Sequence, residues 1–364
     1  MENLSLKSDG IKHDRLFKEA IGLLNKLIST PSFSREEADT ADILKDFFDD
    51  KGISTQRHHN NLWALNKNFD ESKPTLLLNS HHDTVKPNDG YTHDPFTPVT
   101  EEGKLFGLGA NDAGGPLVSL IATFVHFYDE KNLNFNLVFA ASAEEEISGD
   151  NGMVSILDKL PEVDCAIVGE PTQMRMAVAE KGLMVLECTA HGKSGHAARD
   201  EGENAIYNAL PDIEWFRSYK FAKQSKRLGP VKTTVTEVHS GSQHNVVPDA
   251  CDFTVDVRST DAYTNKEILR IIRNHIDATI HPRSINLNPS FIPGDHPIVQ
   301  AGEDLGIEQY GSPTLSDQSV IPAPSLKMGP GKSARSHTAD EFIYLSEIKG
   351  GIETYIKLLE LVFS

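Results

Sequence analysis

Three short apolar segments of this chain each run directly into histidine or carboxylate side chains. The segments and the groups that follow them are TLLLN (75–79) with His81 and Asp83, NLVFAA (136–141) with Glu144, Glu145 and Glu146, and CAIVG (165–169) with Glu170. Charged groups directly after a buried strand are costly unless another charge compensates them. Imidazole nitrogens and carboxylate oxygens are ligands that zinc, cobalt and manganese accept. The sequence therefore predicts a site for divalent metal ions where these segments end.

Two further candidate ligands stand in glycine-rich loops. Asp112 lies in GLGANDAGG (107–115), and His337 lies in GPGKSARSHT (329–338). The first loop does not fit a phosphate site, because it lacks the Lys-Ser/Thr pair and carries an acid where the anion would bind. A serine-hydrolase triad is a weak alternative, since no G-x-S-x-G elbow follows a strand. Two histidines and several carboxylates suit a site for two metal ions.

The apolar segments also predict the fold. They lack polar alternation, so each is interpreted as a strand that is buried on both faces. Helical spacing around residues 116–128 and 152–160, between these strands, predicts the α/β class with a mostly parallel sheet and helices on both faces. Ligands of such sheets bind beyond the carboxyl ends of the strands, which is where the histidines and carboxylates stand.

Further helices are predicted outside this central region. Residues 15–28 have helical apolar spacing, and so do residues 346–362 near the end of the chain. Ser34 and Glu37 have the spacing of a capping box, which predicts a helix that begins at Ser34 and ends near Gly52.

The pattern changes near residue 177. In residues 251–259 apolar and polar side chains alternate, which predicts a half-exposed, antiparallel strand. Its apolar positions are Cys251, Phe253, Val255 and Val257. Helical stretches lie around residues 203–219 and 264–279, so this region is interpreted as a smaller α+β insert.

The change of pattern sets the domain boundaries. We predict an inserted domain over residues 177–286. The remaining residues, 1–176 and 287–364, then form one catalytic domain with the metal site.

Composition narrows the class of protein. The 364 residues contain 35 Lys+Arg and 53 Asp+Glu, a net charge of −18, which argues against nucleic acid and anionic membrane surfaces as partners. Three widely spaced cysteines, Cys165, Cys188 and Cys251, indicate reduced, buried thiols. No apolar segment is long enough for a signal peptide or a membrane span. The expectation is a soluble cytoplasmic protein.

Taken in order, the motifs resemble those of the M20 zinc peptidase and deacylase family. They are HHDTVKP, LFGLGANDAGG, ASAEEEISG, VGEPT, AEKGL, GKSGHAAR, QHNVVPD, VDVRS and GPGKSARSHTADE, and the resemblance runs from about residue 15 to the end of the chain. It is greatest to the acetylornithine deacetylase-like members, including the variant that acts on N-succinylornithine. The resemblance implies two bound divalent ions, zinc first and cobalt or manganese as alternatives.

The resemblance also implies a role for each residue of the site. It assigns His81 and Glu170 to the first ion, Glu146 and His337 to the second, Asp112 to a bridge between them, Glu145 to the general base, and Asp83 to a hydrogen bond with the other nitrogen of His81. His82 is interpreted as a neighbour that binds no ion. The family often has Asp-Glu-Glu where this chain has Glu144–Glu146, so a slip of one residue between base and ligand stays open.

Substrate contacts are expected from the insert. His196 in GKSGHAAR matches the family's oxyanion donor, which the partner subunit provides, so the resemblance implies a homodimer through a dimerisation or lid domain. Asn245 and Arg258 resemble a clamp for the substrate's α-carboxylate. An ordinary salt bridge of Arg258 with Asp256 or Asp261 is the alternative.

The resulting expectation is a metal-dependent amide hydrolase for N-acyl amino acids. N-acetylornithine is the favoured substrate, which is converted to ornithine and acetate in arginine biosynthesis. A desuccinylase for N-succinyl-ornithine or succinyl-diaminopimelate and an M20 dipeptidase or carboxypeptidase are the alternatives within the family. A binding protein that has lost its metal ions is the alternative from another class, and the intact set of ligands argues against it.

Overall fold

The computed structural model describes residues 2–363, with side chains from residue 13 onward. The chain forms two compact units. Unit 1 comprises the described residues up to Val178, Ile292–Tyr310 and those from Ser316 onward, and unit 2 comprises Ala179–Phe291 and Gly311–Leu315. The short segment Gly311–Leu315 packs with unit 2, although the sequence interpretation placed it in the catalytic domain.

The helices and strands are numbered along the chain. The helices are α1 (Glu2–Ile28), α2 (Ala38–Asp49), α3 (Gly115–Phe127), α4 (Ala205–Ser218), α5 (Asn265–Arg273), α6 (Pro297–Asp304) and α7 (Leu345–Phe363). The strands are β1 (Gln56–His58), β2 (Asn61–Leu65), β3 (Thr75–His81), β4 (Val99–Glu101), β5 (Lys104–Phe106), β6 (Asn136–Ser142), β7 (Cys165–Val168), β8 (Met176–Glu180), β9 (Gly182–His191), β10 (Gly195–His196), β11 (Lys232–Ser240), β12 (Val246–Val247), β13 (Ala250–Ser259), β14 (Thr279–Pro282), β15 (Ser290–Phe291), β16 (Gln309–Ser312), β17 (Ser325–Lys327) and β18 (Phe342–Tyr344).

The main sheet has the order β1-β2-β6-β3-β7-β17-β8-β15. Its four central strands, β6, β3, β7 and β17, are parallel to one another. Antiparallel strands flank them, with β2 beside β6 on one side and β8 beside β17 on the other. The predicted α/β class with a mostly parallel central sheet is confirmed, and the three predicted buried strands are β3, β6 and β7.

The two faces of the main sheet are covered in different ways. On one face, Leu76 and Leu78 pack in a large core with apolar residues of α1, α2, α3 and α7. On the other face, Leu77 packs in a smaller core with residues of the segment 152–160. That segment was predicted to be a helix, and this prediction is wrong. It forms successive turns with one short 3₁₀ turn at Met153–Ser155.

The predicted capping box at Ser34 is also wrong. Helix α2 begins at Ala38, and Glu37 precedes it without a side-chain capping bond. The hydroxyl of Ser34 instead donates to Oδ2 of Asp83 at 2.7 Å. The carboxylate of Glu37 accepts the main-chain N–H groups of Arg35 and Glu144. Both side chains of the supposed capping box therefore bind other parts of unit 1.

Unit 2 contains an antiparallel sheet with the order β11-β13-β9-β14. The alternating side chains of β13 point their apolar half into a core with β9, α4 and α5. The predicted burial of Cys251, Phe253, Val255 and Val257 is confirmed, and each of these residues is at most 2% exposed. Helix α5 is shorter than predicted and ends at Arg273.

All three cysteines are free and buried, as the sequence indicates. Within the described residues, no helix combines the length and the apolar character that a membrane crossing requires.

Candidate metal centre

The carboxyl ends of the parallel strands place the candidate ligands at one edge of the main sheet. His81 is the last residue of β3 and stands in register with Ser142, the last residue of β6. The main-chain N–H of Gly169, which directly precedes Glu170, donates to Asn79 of β3 at 2.6 Å. Three strand ends are thereby in register, so the groups that follow them converge.

The first group of candidate ligands is His81, Asp112 and Glu170. Nε2 of His81 lies 3.4 Å from Oδ1 of Asp112 and 3.8 Å from Oε1 of Glu170. Asp112 reaches this position from the turn that leads into α3. The turn needs glycine at Gly109, which has a φ of 73° and whose Cβ would stand 2.6 Å from Thr84.

The second group is Asp112, Glu146 and His337. Nε2 of His337 lies 3.0 Å from Oε2 of Glu146 and 3.7 Å from Oδ2 of Asp112. The two carboxylate oxygens of Asp112 therefore face two different histidines. Such an arrangement suits a carboxylate that bridges two cations.

The residues of these groups fit divalent metal ions. Nε2 of His81 is buried and has no hydrogen-bond partner among the described residues. An imidazole nitrogen buried without a partner is costly, and a metal ion would satisfy it. The carboxylates of Asp112, Glu146 and Glu170 gather around two histidines, and the surplus of negative charge also calls for bound cations. The nitrogen and oxygen donors match zinc, cobalt and manganese without selecting one of them.

Glu145 belongs to neither group of candidate ligands, although it lies beside them. Its Oε2 lies 3.9 Å from Nε2 of His81. Burial raises the pKa of Glu145 well above its usual range, and the nearby carboxylates of Glu170 and Asp317 act in the same direction. A carboxylate with a raised proton affinity is suited to accept a proton from water.

The three consecutive glutamates, Glu144–Glu146, differ in the contacts that their side chains make. Glu144, with a φ of 53°, turns its carboxylate away to accept hydrogen bonds from the main chain and side chain of Asn151. Gly149 leaves the space for this side chain, since a Cβ there would lie 1.9 Å from Oε2 of Glu144. Glu145 and Glu146 are left facing His81 and His337, respectively.

Asp83 makes different contacts from those expected. Nδ1 of His81 is 3.0 Å from the main-chain oxygen of Asp83 and 3.4 Å from its carboxylate Oδ1. The closer partner of the imidazole is therefore the main chain. The carboxylate accepts the main-chain N–H groups of Glu145 at 3.1 Å and Glu146 at 3.2 Å, which fixes the turn that carries both. Burial acts against the charged form, but the nearby imidazole of His81 and the hydrogen bond from Ser34 outweigh it and lower the pKa of Asp83.

His82 has both ring nitrogens engaged elsewhere. Nδ1 is 2.9 Å from the hydroxyl of Thr40, and Nε2 is 2.9 Å from the main-chain oxygen of Asn60. Burial lowers the pKa of this histidine, so its neutral form is favoured. These contacts agree with the interpretation of His82 as a structural neighbour of His81.

Two of the three predicted substrate contacts lie together in unit 2. His196 pairs with Val246 in the two-stranded sheet β10-β12, and the main-chain N–H of Ala197 donates to Asn245 at 3.0 Å. Both His196 and Asn245 are exposed. They therefore lie together on an accessible part of unit 2, near the end of β13 that begins at Ala250.

Arg258, the third contact, stands near the other end of β13. Eight strand residues at about 3.4 Å each separate it from Ala250 by about 27 Å. A joint action of Asn245 and Arg258 from one chain is therefore not supported by this geometry. The guanidinium of Arg258 donates to both carboxylate oxygens of Asp256, with Nε 2.9 Å from Oδ1. This salt bridge is one of the alternatives that the sequence left open.

Two residues that hold the site were not identified from the sequence. Asn111 exchanges hydrogen bonds with the main chain of Lys332, and Glu341 accepts three main-chain N–H groups from the turn that carries Asp112. The sequence could have indicated both residues by their positions. Asn111 directly precedes the candidate ligand Asp112, and Glu341 lies four residues after His337 in the same motif.

The family model for peptidase family M20/M25/M40 matches residues 77–361. The chain is 27% identical to the acetylornithine deacetylase of Shigella sonnei (strain Ss046) over 374 residues, which cover 93% of this chain and 96% of that protein.

Solved structures share the fold. An M20 family metallo-carboxypeptidase of Sulfolobus solfataricus superposes with a TM-score of 0.74 at 18% identity and covers 94% of this chain and 99% of its own. The YXEP protein of Bacillus subtilis, a dinuclear metal-binding M20 peptidase, superposes with a TM-score of 0.72 at 15% identity and covers 96% and 99%. The chain therefore belongs to peptidase family M20/M25/M40 and is a hydrolase.

Proposed function

We propose that the protein is a di-metal amidohydrolase that removes the acyl group from the α-nitrogen of an amino acid. N-acetylornithine is the favoured substrate, with release of ornithine and acetate in arginine biosynthesis. The observation that carries the proposal is Asp112, whose two carboxylate oxygens lie 3.4 Å from His81 and 3.7 Å from His337. The choice of substrate is supported by the likeness to the Shigella deacetylase.

Different residues of the chain bind the metal ions, transfer the proton and position the site. His81, Asp112 and Glu170 would hold one ion and Asp112, Glu146 and His337 the other, and zinc is the proposed metal. The bound ions supply Lewis acidity, which polarises the substrate carbonyl and makes a water easier to deprotonate. Glu145 takes the proton of the attacking water and later gives it to the leaving amine. Asp83 keeps His81 and the Glu145–Glu146 turn in place.

Unit 2 supplies the remaining contacts in this proposal. His196 donates to the oxyanion that develops on the carbonyl oxygen, and Arg258 binds the α-carboxylate in place of Asp256. Because His196 and Asn245 stand at one end of β13 and Arg258 at the other, the two sets can serve one substrate if different subunits contribute them. The proposed protein is accordingly a homodimer.

The surface of unit 2 supports the homodimer. Helix α4 exposes Tyr207 (69%) and Leu210 (54%), and β11 is the edge strand of its sheet with Val238 exposed. Contiguous exposed apolar groups and an open edge strand are features of association surfaces. A cytoplasmic location is part of the proposal and is supported by the three free cysteines.

A panel of substrates tests the function. The purified chain with added Zn²⁺ or Co²⁺ is given N-acetyl- and N-succinyl-ornithine, N-acetylcitrulline, N-succinyl-diaminopimelate and a dipeptide. We expect the highest kcat/KM for N-acetylornithine and loss of turnover when a chelator removes the metal. A preference for the succinyl compounds or for the dipeptide would replace the proposed substrate, and turnover that survives the chelator would contradict the metal chemistry.

A further inference from the structure

Glu341 is a buried carboxylate for which the proposed reaction has no direct use. It is 2% exposed and lies four residues after His337 in unit 1. Its Oε1 accepts hydrogen bonds from the main-chain N–H groups of Asn111 at 2.7 Å and Asp112 at 2.9 Å, and its Oε2 accepts one from Gly109 at 3.2 Å. N–H groups of one turn that converge in this way form a binding site for an anion, and here the anion is a side chain of the same protein.

The turn that Glu341 binds has irregular backbone geometry. Asp112 has a φ of −123° and a ψ of 99°, which are outside the helical range. Its neighbouring N–H groups therefore lack the regular partners of a helix, and buried N–H groups need acceptors. Glu341 provides two acceptor oxygens for three of them. A glutamine could not do the same, because its amide nitrogen would meet the N–H of Gly109.

A second contact ties the same turn to the His337 segment. Oδ1 of Asn111 accepts the main-chain N–H of Lys332 at 2.9 Å, and Nδ2 donates to the main-chain oxygen of Lys332 at 3.2 Å. The segment from Lys332 to Glu341 is thus fastened to the Asp112 turn at both of its ends. His337 lies between the two points of attachment.

We propose that Glu341 is a positioning residue of the metal site, which fixes the Asp112 turn relative to His337 and thereby sets the affinity of the second ion. The inference rests on the proposed function, because it takes Asp112 and His337 to be ligands of one ion. Glu341 touches neither the substrate nor the ions. It acts through the main chain of the residue that faces both histidines.

The test is a direct measurement of metal affinity in the full chain. Zn²⁺ is titrated into the metal-free protein in competition with a chromophoric chelator, for wild type and for Glu341→Gln. We expect two ions to bind to wild type. In the variant we expect at least one of the two dissociation constants to increase about 10–100-fold, the scale observed when a residue that orients a ligand is changed. The visible spectrum of the Co²⁺-loaded protein should change as well, since it reports the ligand geometry.

A matched control separates positioning from general stability. Asp212 in unit 2 is also a buried carboxylate, and it accepts the main-chain N–H groups of Asp277 at 3.2 Å and Ala278 at 2.9 Å. Asp212→Asn should lower the Tm of the metal-free protein, as Glu341→Gln should. It should leave both dissociation constants and the Co²⁺ spectrum at their wild-type values.

The outcomes are distinguishable. Wild-type affinities in a folded Glu341→Gln protein, or equal losses in both variants, would overturn the inference and leave the proposed function intact. Fewer than two ions bound to wild type would overturn the proposed function and the inference with it. If Glu341→Gln does not fold, Glu341→Asp keeps the charge and shortens the reach, and unchanged zinc affinity in that variant would overturn the inference.

Discussion

Nε2 of His337 lies 3.0 Å from Oε2 of Glu146, although 191 positions separate the two residues in the chain. This hydrogen bond raises the pKa of His337 to about 9 in the absence of metal. The histidine is therefore a cation at neutral pH, and it has to lose this proton before it can bind an ion. The same contact thus stabilises the metal-free protein and competes with metal.

The first prediction concerns the stability of the metal-free protein. Because the folded-state pKa of His337 is raised above 6.5, its contribution is complete below about pH 6.5 and is lost as the pH rises through about 9. We expect the free energy of unfolding, measured by urea denaturation in a chelator, to fall between pH 6.5 and 9. His337→Gln should flatten this dependence, and an unchanged slope would contradict the role of His337.

The second prediction concerns Glu145. Glu145→Ala should reduce kcat about 10²–10⁴-fold, because it removes the proposed general base. The variant should still bind two ions in the zinc titration, since neither group of candidate ligands includes this residue.

Glu144→Gln is the matched control for Glu145. The carboxylate of Glu144 accepts two hydrogen bonds from Asn151, and a glutamine keeps the size of the side chain and one of these two bonds. We expect its kcat to stay within a few-fold of wild type. A large loss in Glu144→Gln together with normal turnover in Glu145→Ala would mean that the base is Glu144.

The convergence of the ligands could be predicted from the sequence because the strands that carry them are unusually clear. Residues 76–78 and 137–141 are uninterrupted apolar segments, and short segments of this kind are typical of a strand buried on both faces. The parallel register of β3 and β6 then brings His81 level with Ser142, two residues before Glu144. The prediction that the ligands meet at this edge of the sheet thus rested on the burial of the strands that carry them.

The fine structure around the site could not be predicted in the same way. Residues 152–160 have apolar spacing of three and four, which a helix and a series of turns both satisfy when Met153, Ile156 and Leu160 pack on a sheet. Ser34 binds Asp83, 49 positions further along the chain, and Glu37 binds Glu144, 107 positions further along, so a local capping pattern was misleading. Contacts between distant segments depend on the tertiary fold, and a sequence window does not contain them.

The third prediction concerns Arg258 and the α-carboxylate. Arg258→Ala should raise KM about 10–100-fold for a substrate with a free α-carboxylate, which is the scale of losing hydrogen bonds to a charged group. kcat should change little, because the contact is remote from the reacting carbonyl. Arg258→Lys should recover only part of the loss, since an ammonium group cannot form the two parallel hydrogen bonds. The control is an N-acetylornithine α-amide, and an equal loss for this compound would contradict the clamp.

The fourth prediction concerns His196 and the dimer. His196→Ala should lower kcat about 10²–10³-fold, as expected when one oxyanion donor is lost, while the zinc affinity is unchanged. If the partner subunit provides this donor, mixing His196→Ala with Glu145→Ala and allowing the subunits to exchange should restore activity. Each mixed dimer then has one complete site, and random exchange yields up to about a quarter of wild-type activity. Tyr207→Glu, which places a charge on the exposed face of α4, should dissociate the dimer in light scattering and abolish this recovery. A mixture that stays as inactive as its components, although subunits exchange, would mean that His196 acts within its own chain or outside the reaction.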